Sequence, residues 1–133
     1  MPTYTSNDNV QHGMPLGGIG AGKLEILPNG TWNAFTFLNN WSQPLGGGSG
    51  TSGLLGYHLG VWADGKAFLL QTVPLKNIPI VKNIRYEAVF PKLRMIYREP
   101  SLGLEVVLEV FSSFIPGDVK NSSLPACFFS AER

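Results

Sequence analysis

Short apolar segments separated by turn residues are the feature that most restricts how this chain can fold. Two pairs of these segments, in 23–37 and 55–73, flank the turn sequences Pro28-Asn29-Gly30 and Asp64-Gly65. Asn-Gly and Asp-Gly between apolar runs are typical of the tight turn of a β-hairpin. Because the 133 residues include 16 glycines and 10 prolines, similar breaks recur along the chain, and the sequence predicts an all-β fold.

The segment 104–111 (LEVVLEVF) gives the clearest strand pattern. Leucines and valines occupy its even-numbered positions, whereas its odd-numbered positions include two glutamates. Since the side chains of a strand alternate between two faces, the even-numbered face is expected to point into a core. Further strands are predicted at 86–90 and 93–97, with Pro91 forcing a break between them, and no segment has a convincing helical period.

One modest domain accounts for the length of the chain. Residues 1–12 are predicted to be a polar N-terminal arm, and residues 13–133 to form an incomplete antiparallel β-sandwich. The Gly/Ser-rich segment 42–56 is expected to be a flexible loop within this domain, either a functional loop or a plain surface linker.

The stretch LGGIGAGKLEI raises the question of a phosphate-binding loop. Two glycines and Lys23 fit the spacing G-x-x-x-x-G-K, but Leu24 replaces the hydroxyl residue that would reach Mg²⁺. Lys23 is expected to begin a β-hairpin rather than a helix, and Pro15 to break the strand before the loop. Without a helix N-terminus, the loop is not expected to present the row of unpaired backbone amides that binds a phosphate. The glycines instead predict positive φ angles and a close approach of the backbone to another surface.

The charge of the chain excludes several classes of partner. Ten basic and nine acidic residues give a net charge of +1 with no cationic cluster, so nucleic-acid binding is not expected. No apolar run approaches the ~18 to 20 residues of a membrane span, and the polar N-terminus lacks a signal-peptide pattern. A cytoplasmic location is therefore expected. Charged residues make up only 14% of the chain. This low content indicates that another domain or protein covers part of its surface.

Few residues of the chain are candidates for catalysis or metal binding. His12 and His58 lack metal-ligand spacing and are expected to be structural or surface side chains. The carboxylates include no obvious acid/base pair, and the single Cys127 is expected to be a buried apolar residue. The sequence therefore predicts no catalytic residue, no metal site and no cofactor.

One polar and aromatic cluster could recognise a carbohydrate. Asn39 and Asn40 could offer amide hydrogen bonds beside the indole of Trp41, so these three residues are the candidate substrate-binding site. The alternative is that Trp41 caps the edge of the sandwich. Trp32 and Trp62 alternate within predicted strands and are expected to lie in the core.

Two long blocks of the sequence carry a family resemblance. Residues 13–41 (GMPLGGIGAGKLEILPNGTWNAFTFLNNW) and 104–129 (LEVVLEVFSSFIPGDVKNSSLPACFF) resemble the N-terminal β-sandwich domain of glycoside hydrolase family 116. That family includes non-lysosomal glucosylceramidases (bile-acid β-glucosidases) and their bacterial and archaeal β-glucosidase relatives. The order and the spacing of both blocks agree, so the resemblance spans most of residues 13–130.

The resemblance implies a larger enzyme in which the sandwich is followed by an (α/α)₆ barrel. The barrel of such an enzyme holds a Glu nucleophile and an Asp acid/base, and neither motif occurs in this chain, which is expected to stop before the sandwich is complete. The expected function is a non-catalytic support for a barrel of the same or a separate chain, with a β-glucoside as ligand. The alternatives are a free-standing carbohydrate-binding module and a protein-interaction module. Open sheet edges are expected to favour self-association.

Overall fold

The fold is all-β, as predicted, and is built from three antiparallel sheets. A computed structural model describes residues 1–37 and 57–132. The strands follow one another along the chain as β1 (Thr3–Thr5), β2 (Met14–Leu16), β3 (Lys23–Ile26), β4 (Trp32–Thr36), β5 (Gly60–Ala63), β6 (Lys66–Leu69), β7 (Asn83–Val89), β8 (Lys92–Glu99), β9 (Leu104–Ser112) and β10 (Cys127–Glu132).

The largest sheet has five strands in the order β1-β7-β8-β9-β10. The hairpin β7–β8 turns at Phe90-Pro91, so Pro91 separates two strands as the sequence predicted. A 3₁₀ turn at Pro100–Leu102 joins β8 to β9, and Gly103 ends it with a φ of +62°. A left-handed residue after the last turn is the usual way to end a short helix, and glycine adopts it without a steric cost.

Both predicted hairpins are confirmed. The hairpin β3–β4 belongs to a three-stranded sheet in the order β2-β3-β4, and β5–β6 forms a two-stranded sheet of its own. Asp64 and Gly65, which join β5 to β6, have φ angles of +50° and +75°. Two successive left-handed residues define the turn that matches the twist of a β-hairpin, which explains the Asp-Gly pair.

All three sheets contribute side chains to one core. In β9 the even-numbered side chains Val106, Leu108 and Val110 are buried, so the predicted inner face of this strand is correct. The other sheets contribute apolar side chains to the same cluster, which contains Leu16, Leu24, Ile26, Ala63, Phe68, Leu70, Val81, Ile84, Tyr86, Leu93, Met95, Tyr97, Leu102, Val106, Leu108 and Val110.

Two hydrogen bonds join the five-stranded sheet to the three-stranded sheet directly. The amide of Met14 donates to the hydroxyl oxygen of Tyr86 at 2.9 Å, and the amide of Gly17 donates to the Ser112 hydroxyl at 2.7 Å. Burial raises the pKa of Tyr86, whose phenol oxygen accepts the bond from Met14. Strand β2, which belongs to the three-stranded sheet, is thereby held against the five-stranded sheet.

One local feature differs from the sequence-based expectations, and a second adds detail to them. Pro15 does not break a strand but lies inside β2, where it pairs with Glu25. Because β2 is an edge strand, a missing amide is tolerated there. Residues 1–12, predicted as a polar arm, include β1, which pairs with β7 at the edge of the large sheet.

Candidate interaction surface

The glycine-rich loop between β2 and β3 lies against the segment that joins β9 to β10. The amide of Ile19 donates to the carbonyl oxygen of Ser122 at 2.9 Å. A Cβ atom added at Gly18 would lie 2.2 Å from the carbonyl oxygen of Leu124, so only glycine fits at this contact. The predicted close approach of the loop to another surface is therefore confirmed, and that surface belongs to the same chain.

The segment 113–126 is held in place by its own short helix, α1 (Val119–Ser122). Asp118 caps this helix by accepting a hydrogen bond from the amide of Asn121 at 3.0 Å. Hydrogen bonds from Asn121 lower the pKa of the Asp118 carboxyl. The buried hydroxyl of Ser122 accepts the amide of Ile115 at 2.8 Å and donates to its carbonyl oxygen at 3.1 Å. These bonds fix the turn while the side chain of Ile115 stays 49% exposed.

Four phenylalanines form an exposed patch at one end of the five-stranded sheet. Phe90 and Phe114 meet edge to face with ring centroids 5.2 Å apart, and Phe111 stacks on Phe128 at the same distance. Their exposed fractions are between 39% and 46%. We call these four residues the aromatic end. Exposed apolar clusters of this kind mark surfaces that another molecule or domain covers.

The rest of the outer face of this sheet carries ion pairs. Arg85 contacts Glu87 at 2.7 Å, Lys92 contacts Glu109 at 2.8 Å, and Arg94 lies within 4.0 Å of both glutamates. Exposed pairs of this type add little to stability but keep a surface hydrated. The outer face is therefore divided into a charged part, suited to water, and the apolar aromatic end.

The two blocks that meet at Gly18 and Ile19 both lie within the part of the chain that matches a known family. Residues 13–132 match the family model described as beta-glucosidase 2, glycosyl-hydrolase family 116 N-term. The chain belongs to glycosyl-hydrolase family 116. No curated protein gives a significant match to it.

The family 116 match covers both the glycine-rich loop and the segment 113–126. In the folded domain these two stretches touch through Gly18, Ile19 and Ser122, although about 100 residues separate them. The long motifs of the N-terminal domain are therefore explained by packing within the domain. No phosphate site is needed, since Lys23 begins a strand and not a helix.

The predicted carbohydrate site, Asn39, Asn40 and Trp41, lies outside the described residues, as does the whole of the predicted loop 42–56. Near the boundaries of the described part, Trp32 stacks between Tyr57 and Phe129, with centroid distances of 6.0 Å and 5.7 Å. The indole nitrogen of Trp32 is buried and has no hydrogen-bond partner among residues 1–37 and 57–132. Trp32 packs against the core as expected.

Trp62 corrects a prediction. The sequence placed it in the core, but its side chain is 74% exposed on β5. Within the described part of the chain, strand β5 pairs only with β6, and its burial alternates with Ala63 inside and Trp62 outside. An alternating strand does not reveal which face is inside when one face carries a large apolar residue and the other a small one.

One buried carboxylate in the family 116 domain is that of Glu25, which is 2% exposed. It accepts the amide of Gly13 at 3.1 Å, forms an ion pair with Lys23, and lies 3.4 Å from Nδ1 of His12. His58 shares a hydrogen bond of 2.8 Å with Gln71. His12 is thus a surface side chain and His58 is a hydrogen-bonded side chain, as predicted.

The described residues offer no obvious site for a metal ion. In residues 1–37 and 57–132, no three His, Cys, Asp or Glu side chains are grouped as ligands. Cys127 is a half-buried free thiol that packs against the core, and burial raises its pKa, so the thiolate that would react or bind metal is disfavoured. Within the same residues no helix has the length and hydrophobicity to cross a bilayer.

Sequence reasoning missed the aromatic end. The signal was present, because phenylalanines recur in FSSFIPGD and in PACFF. What the sequence could not give was the pairing of β9 with β10, which places Phe128 opposite Phe111. The two aromatic pairs are brought to one end of the sheet only by these long-range contacts.

Proposed function

We propose that this chain is a non-catalytic β-sandwich portion of a β-glucosidase- or glucosylceramidase-like glycoside hydrolase. In this role it packs on an (α/α)₆ catalytic barrel of the same or a separate chain and supports it. The observation that carries the proposal is the aromatic end, whose four phenylalanines are left partly exposed in a domain of this family.

The division of the outer face supports this role. Ion pairs cover the part of the five-stranded sheet that includes Glu87 and Glu109, so water is a suitable neighbour there. The aromatic end is continued by exposed side chains of the segment 113–126, among them Ile115 and Val119. Association through this apolar surface would remove it from water and stabilise the assembly.

The polar contacts of the carboxylates support a non-catalytic role. Glu25 is occupied by Lys23 and Gly13, while Glu99 accepts hydrogen bonds from Ser101 at 3.3 Å and 2.7 Å. Retaining glycosidases need two carboxyl groups about 5 Å apart that face the sugar. Carboxylates held by cations and by local backbone amides serve structure instead.

The test is hydrolysis of an aryl β-glucoside. The activity of this chain alone is compared with that of a separately expressed helical catalytic domain of the family, and with a mixture of the two. We expect no turnover by this chain and a higher activity or longer lifetime of the catalytic domain in the mixture. Turnover by this chain alone, or a catalytic domain that neither binds it nor changes in its presence, would contradict the proposal.

Exposed Trp62 favours one alternative, a carbohydrate-binding module. An indole that is 74% exposed offers a flat apolar face, and aromatic side chains with one polar end are common at recognition surfaces. Titration calorimetry with cellobiose would test this idea, with Trp62→Ala and Trp41→Ala as variants. Binding that either variant abolishes would support a module, whereas no heat of binding at millimolar ligand would oppose it.

A cytoplasmic location is part of the main proposal. Cys127 is the only cysteine of the chain, and it is a free thiol in the described structure. Domains of this size that are exported more often rely on disulfides than on a lone thiol. Fractionation of cells that carry the tagged protein would test the location.

A further inference from the structure

A cavity of about 420 Å³ opens on the outer face of the five-stranded sheet. Strand β1 and the two residues after it form one side of this cavity, and the start of β7 and the end of β8 form the rest. It therefore lies at the end of the β7–β8 hairpin away from the turn at Phe90-Pro91, and it is separate from the aromatic end. Its volume is in the range of sites that bind small molecules.

Two arginines give the cavity its charge. Among residues 1–37 and 57–132, Arg85 and Arg98 line it, and no aspartate or glutamate does. Arg85 lies opposite Ile96, and Arg98 follows two residues later on the same face of β8. Diagonal neighbours of this kind are about 7–8 Å apart in a sheet, so two long side chains can reach one anion between them.

Each guanidinium group is held by a carboxylate that lies outside the cavity. Nη2 of Arg85 contacts Glu87 at 2.7 Å, and Nε of Arg98 contacts Glu105 at 2.6 Å. A guanidinium carries five N–H donors, so each arginine keeps donors for a ligand while its carboxylate partner restricts its motion. Guanidinium groups oriented in this way suit the oxygen atoms of a phosphate, which they can bind in pairs.

The uncharged part of the lining suits a ligand that also carries alcohol groups. The side-chain amides of Asn7 and Asn83 line the cavity and can both donate and accept hydrogen bonds. The hydroxyl oxygen of Ser6 accepts the amide of Ile84 at 3.4 Å, which leaves its O–H able to donate. Ile96 is 5% exposed although it lies outside the core cluster, so it gives the cavity an apolar floor.

We propose that this cavity binds a small phosphate ester of a polyhydroxy compound, with the phosphate between Arg85 and Arg98 and the alcohol groups on Asn7 and Asn83. A phosphate monoester carries a charge of about −1.5 to −2 at pH 7, which matches two guanidinium groups. The inference does not depend on the proposed support of a catalytic barrel. The family match does not imply the site either, because β1 and Asn7 precede the matched residues 13–132.

Titration calorimetry of the whole chain tests the ligand class. Glucose 6-phosphate is the probe, because it carries both kinds of group, and glucose, inorganic phosphate and succinate are the comparisons. We expect glucose 6-phosphate to bind most tightly of the four, and its affinity to fall as salt screens the charges. Equal or tighter binding of glucose or succinate would overturn the role of the phosphate. Equal or tighter binding of inorganic phosphate would overturn the ester, and no binding of the probe at millimolar concentration would overturn the site.

Arg85→Gln and Arg98→Gln test the site itself, with Arg94→Gln as the matched control. Arg94 lies on the same face and pairs with Glu87 and Glu109, but it does not line the cavity. Each site variant should bind glucose 6-phosphate about tenfold or more weakly, because it loses a hydrogen bond between two charged groups. The control should keep nearly the natural affinity, and equal losses in all three variants would overturn the proposal.

Circular dichroism should show that all three variants fold, because each arginine side chain is at least 40% exposed. A ¹H–¹⁵N spectrum of the natural sequence locates the ligand without any substitution. The amide signals of residues 3–7 and 83–85 should move as glucose 6-phosphate is added. Changes centred on another part of the chain would overturn the assignment of the cavity as the binding site.

Discussion

The amide of Ile19 donates a hydrogen bond to the carbonyl oxygen of Ser122 at 2.9 Å, and this bond joins the two most distinctive stretches of the sequence. One stretch is the glycine-rich loop after β2, and the other is the segment 113–126 that supports the aromatic end. The loop that resembles a phosphate-binding motif therefore acts as a packing surface, and its glycines are explained by contacts and not by a ligand.

Gly18→Ala is expected to destabilise the domain strongly. The new Cβ would lie 2.2 Å from the carbonyl oxygen of Leu124, so the loop or the segment 113–126 must move. Overpacking of this kind costs about 1–3 kcal/mol. Gly20→Ala is the control, because a Cβ there meets nothing within 4 Å and only the φ of +71° opposes it, at roughly 1 kcal/mol. Urea unfolding monitored by fluorescence gives both values, and equal losses would contradict the packing argument.

Ser122→Ala is expected to loosen the segment that supports the aromatic end. The hydroxyl is 1% exposed and makes two hydrogen bonds to the backbone of Ile115. Leaving the part-buried amide of Ile115 without this partner costs up to about 1–3 kcal/mol. Ser123→Ala, which removes an exposed hydroxyl bonded to Val119, should cost clearly less. Hydrogen exchange of residues 113–126 should rise in the first variant only, and unchanged protection there would refute the role of Ser122.

Glu25→Gln should reveal how much the buried ion pair contributes. The amide oxygen of glutamine can still accept the bond from Gly13, but the attraction to Lys23 is lost and an amide faces the ammonium group. We expect a loss of about 1–3 kcal/mol in unfolding free energy. Glu105→Gln, at a pair with Arg98 that is about half exposed, should change stability by under about 1 kcal/mol.

The local elements could be predicted from the sequence, whereas the positions that depend on distant contacts could not. The dipeptide Asp64-Gly65 predicts a tight turn by itself. The alternation of apolar and charged residues in β9 indicates which face of that strand is buried. The exposure of Trp62 and the burial of Glu25 depend on which strands lie beside them, and that information is not local. The aromatic end likewise requires β10 to return beside β9, since Phe128 meets Phe111 only then.

Ser101→Ala tests a pH-dependent contribution. Hydrogen bonds from Ser101 lower the pKa of the Glu99 carboxyl below its ordinary value of 4.5, with further help from nearby Lys82. A carboxyl with a lowered pKa in the folded state stabilises the fold above its unfolded pKa, and this contribution is lost as the pH falls through the lowered value. The stability gap between the natural sequence and Ser101→Ala should therefore be full at pH 7 and shrink below about pH 4.5. Urea unfolding across this range measures it, and a gap independent of pH would exclude the carboxylate as its cause.

The aromatic end should matter more for association with a catalytic domain than for the fold. Phe114→Ser and Phe128→Ser each remove one ring of a partly exposed pair, and the lost ring–ring contact alone costs the isolated chain about 0.5–1.5 kcal/mol. Aromatic side chains that become buried at an interface often contribute over about 1.4 kcal/mol, a factor of ten in affinity. Tyr4→Ser is the matched control, because Tyr4 is 41% exposed and contacts one ring, that of Tyr86, at the other edge of the same sheet. We expect each phenylalanine variant to bind the helical domain about tenfold or more weakly than the natural sequence does. Tyr4→Ser should bind it with nearly the natural affinity. Equal affinities for all three variants in a binding titration would place the contact surface elsewhere on the domain.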